Sequence, residues 1–399
     1  MKLLKLTFVF AVLLYIFSIN TGCEKNYITP VNVVDSLPHD SIPYIDSTLY
    51  TVTGSGKDSG DILIAVNTKN STDGILLVLN KDGYIKKKKD VGARADDFQR
   101  WTFNGKTYYS YLLAQGDYAI AGPGTEEGYD IICDSDLNEL WRAKYIDPSG
   151  SDTADDRLDV HDFILLGENH YMAISAHLEH PTNIPDSLNP SPKVTVVSCR
   201  IEEVDNGQVV FHWNGTDYPE LYGESVENNN FSDFANTMDY MHMNSICIDP
   251  NDNNIICSSR NLDEIIKINR TTGDIMWRLG GKHSDFPLTS DEKFLRQHFA
   301  RFTDDGKTLI FVDNGDQTLR PYSRILEFQL DENAKTISSF NTFKVPNEFI
   351  RYAGSVKKEN GYYFIGGGSA NFAMEVNYTT SDVNLMINQN YSSYRAMKY

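Results

Sequence analysis

The sequence predicts an all-β fold, a β-propeller of six four-stranded blades over residues 51–399, behind an N-terminal leader and a tether. Three observations carry this. Helical periodicity is almost absent along the 399 residues. Short β-branched and aromatic runs recur between Asn, Asp and Gly turns, and the 23 Tyr and 20 Phe suit strands. The runs also repeat in units of four, at a spacing near the roughly 40–50 residues of a propeller blade once insertions are allowed for.

Residues 1–22 read as a lipoprotein signal peptide. Lys2 and Lys5 form a basic start, and 6–19 are almost wholly apolar, too short for a membrane span. Gly22 directly before Cys23 resembles a bacterial lipobox, in which the Cys becomes the lipidated first residue; Asn20 and Thr21 depart from the usual pattern. Localisation at the bacterial cell envelope follows, lipid-anchored, on the periplasmic side or the outer-membrane surface. Residues 23–50 carry Pro30, Pro38 and Pro43 among many Ser and Asp, and read as a solvated acidic tether.

The clearest repeat copy starts at His242, turns over 250–254, runs through Ile255 to Arg260 and Glu264 to Asn269, and ends at Asp274 to Arg278. Further copies start at His298, near Gly354 and at His161; Phe98 to Trp141 and Asp61 to about Lys88 fit more loosely. The main insertion, Asn214 to Tyr240, is acidic, Asn-rich and aromatic, and is expected to loop over one face.

Formal net charge is −19, and loss of Lys2 and Lys5 with the leader makes it more negative. This argues against nucleic acid as a partner, and any anionic substrate must be drawn by local positive groups. Beyond Cys23 only Cys133, Cys199, Cys247 and Cys257 remain, too few for a disulfide scaffold.

Propeller geometry turns repeat phase into location. The first strand of a blade lines the axis and the second runs antiparallel to it. The start of strand one and the end of strand two therefore share one face, near the channel mouth. His161, His242 and His298 occupy strand-one starts, and Arg260 a strand-two end, so three imidazoles and a guanidinium are expected to meet there. A lone His at a strand start is usually structural; three of nine His at one phase argue for a site.

Other candidates are weaker. His177 and His180 have metal-ligand spacing without a third ligand, and read as part of a solvated loop. His39 lies in the tether and His283 in a Gly-rich turn. Gly366-Gly367-Gly368 lacks the Lys-Ser/Thr of a phosphate loop and reads as close packing or a tight bend. Residues 249–254 lack the sixth-position Gly and twelfth-position Glu of a calcium loop and read as a hairpin turn. No metal or cofactor is called for.

At these same residues the chain resembles the bacterial arylsulfotransferase (arylsulfate sulfotransferase) family. The likeness is dense from about 240 to 330. It runs through His242-Met-Asn-Ser-Ile, Ser258-Ser-Arg260-Asn-Leu-Asp-Glu-Ile, Thr272 to Phe286, Gln297-His298-Phe-Ala-Arg and Phe311-Val-Asp-Asn-Gly315. The resemblance implies sulfuryl transfer from a phenolic sulfate to an acceptor phenol by a ping-pong route through a sulfo-histidine, with no nucleotide donor. It implies His298 as nucleophile, His242 and His161 as supporting imidazoles, Arg260 as anion binder, and Asn244, two residues past His242, as a contact to the sulfuryl oxygens. The N-terminal β-sandwich of some family members has no room before this propeller.

The residue types fit that chemistry. Imidazole, with an ordinary pKa of about 6.5, is both a neutral nucleophile and a good leaving group. A guanidinium pairs with two sulfuryl oxygens in a fixed fork. Two other classes compete: a non-catalytic propeller that binds a ligand or protein, and a hydrolase using water as acceptor. Retention of His298, His242 and Arg260 together favours transfer, since a binding module needs no nucleophile facing a guanidinium.

The lipid anchor gives a first prediction. Cys23→Ser should move the protein from the membrane fraction to the soluble fraction; a variant still recovered with membranes places the anchor elsewhere.

Overall fold

In the two middle strands of each blade most side chains are covered, which is why they read as continuous apolar runs instead of alternating ones. Ile255–Ser259 and Glu264–Ile268 are buried at all five positions. Successive residues feed opposite faces of the sheet. Ile255 and Cys257 join the apolar cluster shared with the preceding blade, and Ile256 the cluster shared with the next. The outermost strands have one exposed edge and turn polar. Thr336–Lys344 is mostly exposed, and Ile85–Asp90 carries four consecutive Lys, a charged edge that discourages pairing with another chain.

The computed structural model describes residues 43–68, 73–115, 126–149, 155–227 and 229–399. The leader, Cys23 and most of the tether lie outside the described residues. Those described belong to one unit of the chain, Asn32–Tyr399.

Six sheets form a six-bladed propeller. Blade 1 holds Ile62–Thr68, Asp73–Leu79 and Ile85–Asp90; blade 2 holds Ala95–Phe103, Lys106–Ala114, Glu127–Cys133 and Glu139–Ala143. Blade 3 is Phe163–Gly167, His170–Glu179, Thr195–Asp205 and Gln208–Asn214; blade 4 is Met243–Ile248, Ile255–Ser259, Glu264–Ile268 and Ile275–Gly280. Blade 5 is His298–Phe302, Leu309–Asp313, Arg324–Asp331 and Thr336–Lys344; blade 6 is Ser355–Glu359, Tyr362–Gly366, Phe372–Asn377 and Val383–Gln389. Asn-Gly pairs with positive φ at both residues (Asn104-Gly105, Asn206-Gly207, Asn360-Gly361) make the two-residue turns whose twist matches the strands they join.

Both ends of the described chain close the ring. Ala396–Lys398 pairs with Ile62–Ile64 and supplies the inner strand that blade 1 lacks, while Tyr50–Gly54 pairs with Val383–Gln389 on the outer edge of blade 6. Gly366 lets the closing strand come close, since a Cβ there would sit 2.4 Å from Ser355 Oγ and 2.6 Å from Ala396 N. The triple-Gly segment is thus a site of close packing and of a bend through Gly368 at φ 47°.

One sequence expectation changes. His177 lies on a strand and not in a solvated loop; its ring packs 4.3 Å from Tyr145, and burial, then the charge of Arg200, pull its pKa down to about 4. Its neighbour His180 bonds the Val194 carbonyl at 2.9 Å. The 214–240 insertion is folded: it contains two 3₁₀ turns, Gly215–Asp217 and Pro219–Glu224, and a short strand, Thr237–Met238, parallel to Thr195–Val196. The 249–254 hairpin turn carries an ion cluster, with buried Lys267 placing its ammonium 2.7 Å from Asp249, 2.7 Å from Asp252 and 2.8 Å from Glu332. Cys133, Cys199, Cys247 and Cys257 are all buried and free.

Closure by so short a strand is testable. A chain ending at Arg395 loses the ladder to Ile62–Ile64 and the bonds between Tyr399 and Asp61. It should lose on the order of 5 kcal/mol, at about 1 kcal/mol per hydrogen bond plus the Met397 side chain. An unchanged thermal midpoint would show that the ring closes without it.

Candidate active site

His298 opens the inner strand of blade 5 and pairs with Val312. A register shift between His298 and Arg301 marks a bulge, and the backbone enters the left-handed region at Arg296 (φ 55°) and Phe299 (φ 59°). For a bulky residue such as Phe299 this is strained, and it persists only where surroundings enforce it. Here the Phe299 ring lies under two guanidinium groups, Arg301 at 4.5 Å and Arg395 at 4.8 Å, and Ala300 N–H donates to Ser245 Oγ at 3.0 Å. The bulge re-aims the side chain that precedes it. At blade 4, His242 is left-handed too (φ 50°), and its carbonyl accepts from the Arg260 backbone N–H at 2.9 Å, joining the start of strand one to the end of strand two.

Hydrogen bonds fix which nitrogen of His298 carries the proton. Asn314 Nδ2 donates to the carbonyls of Ile350 (2.9 Å) and Ala353 (3.1 Å), so its Oδ1 must be the atom facing the ring. His298 Nδ1 lies 2.8 Å from that Oδ1 and 3.0 Å from the Arg296 carbonyl. Both partners only accept, so Nδ1 donates. In the neutral ring Nε2 then holds the lone pair, and Nε2 has no hydrogen-bond partner among the described residues. Burial first, then the charges of Arg260, His161 and His242, hold the His298 pKa well below 6.5, and the ring is neutral at pH 7.

The other two imidazoles have carboxylate partners. His242 Nδ1 donates to Asp239 Oδ2 at 2.5 Å, and His161 Nδ1 donates to Asp159. Their rings meet edge-on with centroids 4.8 Å apart. Burial opposes charge on His161, but the Asp159 charge and hydrogen bond outweigh it and raise its pKa above 6.5. For Asp239 burial works upward, and the charges of His242, His161 and Arg260 more than reverse it, so it stays ionised. The two rings border a cavity of about 10 Å³, walled also by Cys199 and Met243, about the space of one water.

Arg260 follows the second strand of blade 4 and opens a 3₁₀ turn over Arg260–Leu262. Its Nη1 reaches Asn261 Oδ1 at 2.5 Å and Glu227 Oε1 at 3.1 Å. Asn244 is fully buried; its Nδ2 donates to the Gln297 carbonyl at 2.7 Å. It therefore braces the residue before His298 from below. Gln297 is equally buried, donating to Ser258 Oγ and to the carbonyls of Ser259 and Glu264. Among the described residues no group of three or more His, Cys, Asp or Glu is arranged to hold a metal ion.

A neutral imidazole with a free Nε2, ringed by a guanidinium and two imidazole–carboxylate pairs, is suited to attack on an anionic electrophile. Residues 100–399 match the model of the Arylsulfotransferase (ASST) family.

The chain belongs to the arylsulfotransferase family.

It is a sulfotransferase, an enzyme that transfers sulfuryl groups. No curated protein matches the sequence. Among solved structures, a protein of unknown function from Bacteroides caccae is 12% identical, with 86% of this chain and 99% of that one covered and a TM-score of 0.41. The Cps50 (Swd1) β-propeller domain of Myceliophteria thermophila is 11% identical, covering 84% and 88%, with a TM-score of 0.44. Kuenenia stuttgartiensis hydrazine synthase is 8% identical, covering 82% and 79%, with a TM-score of 0.40.

In this arylsulfotransferase His161, His242, His298 and Arg260 do lie together, near enough for each to act on the charge of His298. Asn244 lies beneath them. Sequence reasoning missed Asp159, Asp239 and Asn314. Asn314 follows the second strand of blade 5, the same phase as Arg260 in blade 4, so the rule that found the arginine also reaches it. Asp159 and Asp239 stand two and three residues before the His each serves, within local hydrogen-bond reach.

Asn314→Leu should leave Nδ1 with the Arg296 carbonyl alone and let the ring change tautomer. Turnover should fall about 10–100-fold, the usual cost of losing a group that orients a reactive imidazole. Asn314→Asp keeps an acceptor and adds charge, so the His298 pKa should rise; a titration of the His298 ring by NMR that shows no rise would contradict the contact.

Proposed function

We propose that this enzyme transfers a sulfuryl group from a phenolic sulfate to an acceptor phenol in two steps, through a sulfo-histidine on His298 Nε2. The observation that supports this best is the Nδ1–H of His298, committed to two acceptors, in a ring that stays neutral at pH 7.

In the first step the Nε2 lone pair attacks sulfur. The sulfur–aryl oxygen bond breaks, and the phenolate leaves with the bonding pair and takes a proton from the pocket. We assign its supply to His161, whose pKa the Asp159 carboxylate raises. Arg260 balances the charge spread over the sulfuryl oxygens. Once Nε2 carries the group, the retained Nδ1–H makes the ring cationic. Asn314 Oδ1 and the Arg296 carbonyl stabilise that cation, and a cationic ring is a good leaving group. In the second step the acceptor phenol gives its proton to the pocket, its oxygen attacks sulfur, and the nitrogen–sulfur bond pair returns to Nε2. Each half-reaction restores what the next needs, which is a ping-pong sequence independent of a nucleotide donor. We place this chemistry at the bacterial cell envelope, on a lipid-anchored protein held through Cys23, on the strength of the leader alone.

With donor and no acceptor, the protein should release about one phenol per enzyme and stop, and intact mass should rise by one acid-labile sulfuryl group on the peptide holding His298. His298→Asn should show neither. Arg260→Ala should slow donor cleavage by about 10²–10³-fold. Continuous phenol release without acceptor would make the enzyme a sulfatase instead. Because only the unprotonated ring attacks, and its pKa lies well below 6.5, the donor half-reaction should hold its rate as pH falls through 6.5 and decline only in more acid solution. A decline centred at 6.5 would mean that His298 is not desolvated as described.

A further inference from the structure

Two guanidinium groups at the site mouth share one carboxylate. Glu227, on the 214–240 insertion, accepts from Arg260 Nη1 at 3.1 Å and from Arg296 Nη2 at 3.2 Å, both through Oε1. Among the described residues these two arginines are the only partners of its side chain. Asp316, which also meets Arg296 at 3.2 Å, is different, because it is engaged by the backbone N–H groups of Thr318 and Leu319 in its own turn. Arg260 and Arg296 repel: burial, and after it the like charge of Arg296, pull the Arg260 pKa below the ordinary arginine value. Such a pair requires an anion, and in the free enzyme Glu227 supplies it.

Neither arginine is saturated. Arg260 uses only Nη1 and Arg296 only Nη2 for side-chain contacts among the described residues, leaving the remaining N–H groups of both forks for a ligand. The Glu227 side chain is about one-third exposed. The backbone beside it is pinned, with Val226 N–H on the Asn261 carbonyl and Asn229 N–H on the Glu227 carbonyl, both at 2.8 Å. The carboxylate therefore leaves by rotating its side chain. We propose that Arg296 is a second anion-binding residue for the sulfate donor, and that Glu227 is a resident counter-ion which the donor's sulfate displaces from Arg260 and Arg296. One monoanion replaces another, so the mouth keeps its charge between the empty and the loaded enzyme.

This extends the sulfuryl-transfer reading, since it assumes that Arg260 receives the donor. Its test needs no chemistry. Benzenesulfonate is a monoanion with the same SO₃ face and no leaving oxygen, and its dissociation constant is measured by calorimetry on the full chain. Glu227→Gln removes the competing charge at nearly constant shape and should tighten binding by about tenfold, the order expected for releasing two partly exposed ion pairs. Arg296→Gln should weaken binding by a similar factor. In the double variant the gain from Glu227→Gln should shrink, because one of the two guanidinium groups it freed is gone. Thermal unfolding of each variant checks that it is folded; a variant that fails this is replaced by Glu227→Ala or Arg296→Met. A merely structural latch predicts the opposite sign for Glu227→Gln, weaker binding through a loosened insertion. Unchanged or weaker binding in Glu227→Gln, no effect of Arg296→Gln, or no binding in any variant overturns the proposal. None of these results depends on the phenol burst, so the two readings fail separately.

Discussion

One buried guanidinium ties the blades together at the axis. Arg395 stands just before the closing strand of blade 1, and its side chain is 1% exposed. Nη1 binds Asp97 of blade 2 at 2.7 Å and Asp162, just before the inner strand of blade 3, at 3.0 Å. Nη2 donates to the Asn244 carbonyl of blade 4 at 2.9 Å, and the guanidinium lies over Phe299 of blade 5. Asp162 in turn accepts from Arg301 and from Ile246 N–H. Breaking one partner out of a buried charge network costs about 3–5 kcal/mol, because the remaining charges stay desolvated. The network also sets Asp97 apart from an ordinary carboxyl: burial, only partly offset by Arg395, raises its pKa to about 6. An inner ring of short strands gains from this what the small closing strand alone does not give, a common anchor for the sides that face the channel.

The same anchor reaches the nucleophile. Asn244 takes Arg395 on its carbonyl and gives its side-chain amide to the Gln297 carbonyl, and His298 is the next residue. Arg395 also covers one side of the Phe299 ring, whose left-handed backbone follows His298. Closure of the propeller and the aim of His298 are thus parts of one packed network, with the strain at the bulge held by surrounding contacts.

Much of this was legible in the sequence because repeat phase is a local property. The starts at His161, His242 and His298 and the end at Arg260 each follow from strand lengths and turns within a single blade. What escaped depends on irregularity or on the whole ring. Strict two-residue alternation puts Asn244 on the same side of its strand as His242, but the register shifts between Met243 and Ser245 and its amide bonds the Gln297 carbonyl. Arg395 was invisible because its role exists only once the C-terminal segment crosses from blade 6 to blade 1, a pairing between residues more than three hundred apart. His177 looked like loop because no apolar run marks the far end of the long strand His170–Glu179, whose last residues are held by pairing with Val196 to Ser198.

Charge explains how so acidic a chain serves an anionic reaction. A net charge of −19 acts over the whole surface, and at physiological ionic strength it is screened beyond about 8 Å. Inside the mouth each charged group lies within hydrogen-bonding distance of its partner and is partly or wholly buried, where screening is weak. There the local balance is set by pairs: Asp159 with His161, Asp239 with His242, Glu227 with Arg260 and Arg296. Glu227 serves both arginines, His161 and His242 each have a carboxylate of their own, and His298 has neutral partners, Asn314 and a carbonyl. That exception is the essential one. A carboxylate at Nδ1 would stabilise the imidazolium and draw a proton onto the ring, whereas an amide oxygen orients the ring while adding no net charge. The three imidazoles share a repeat phase, and the atom that each Nδ1 faces separates the neutral nucleophile from the two that carry charge partners.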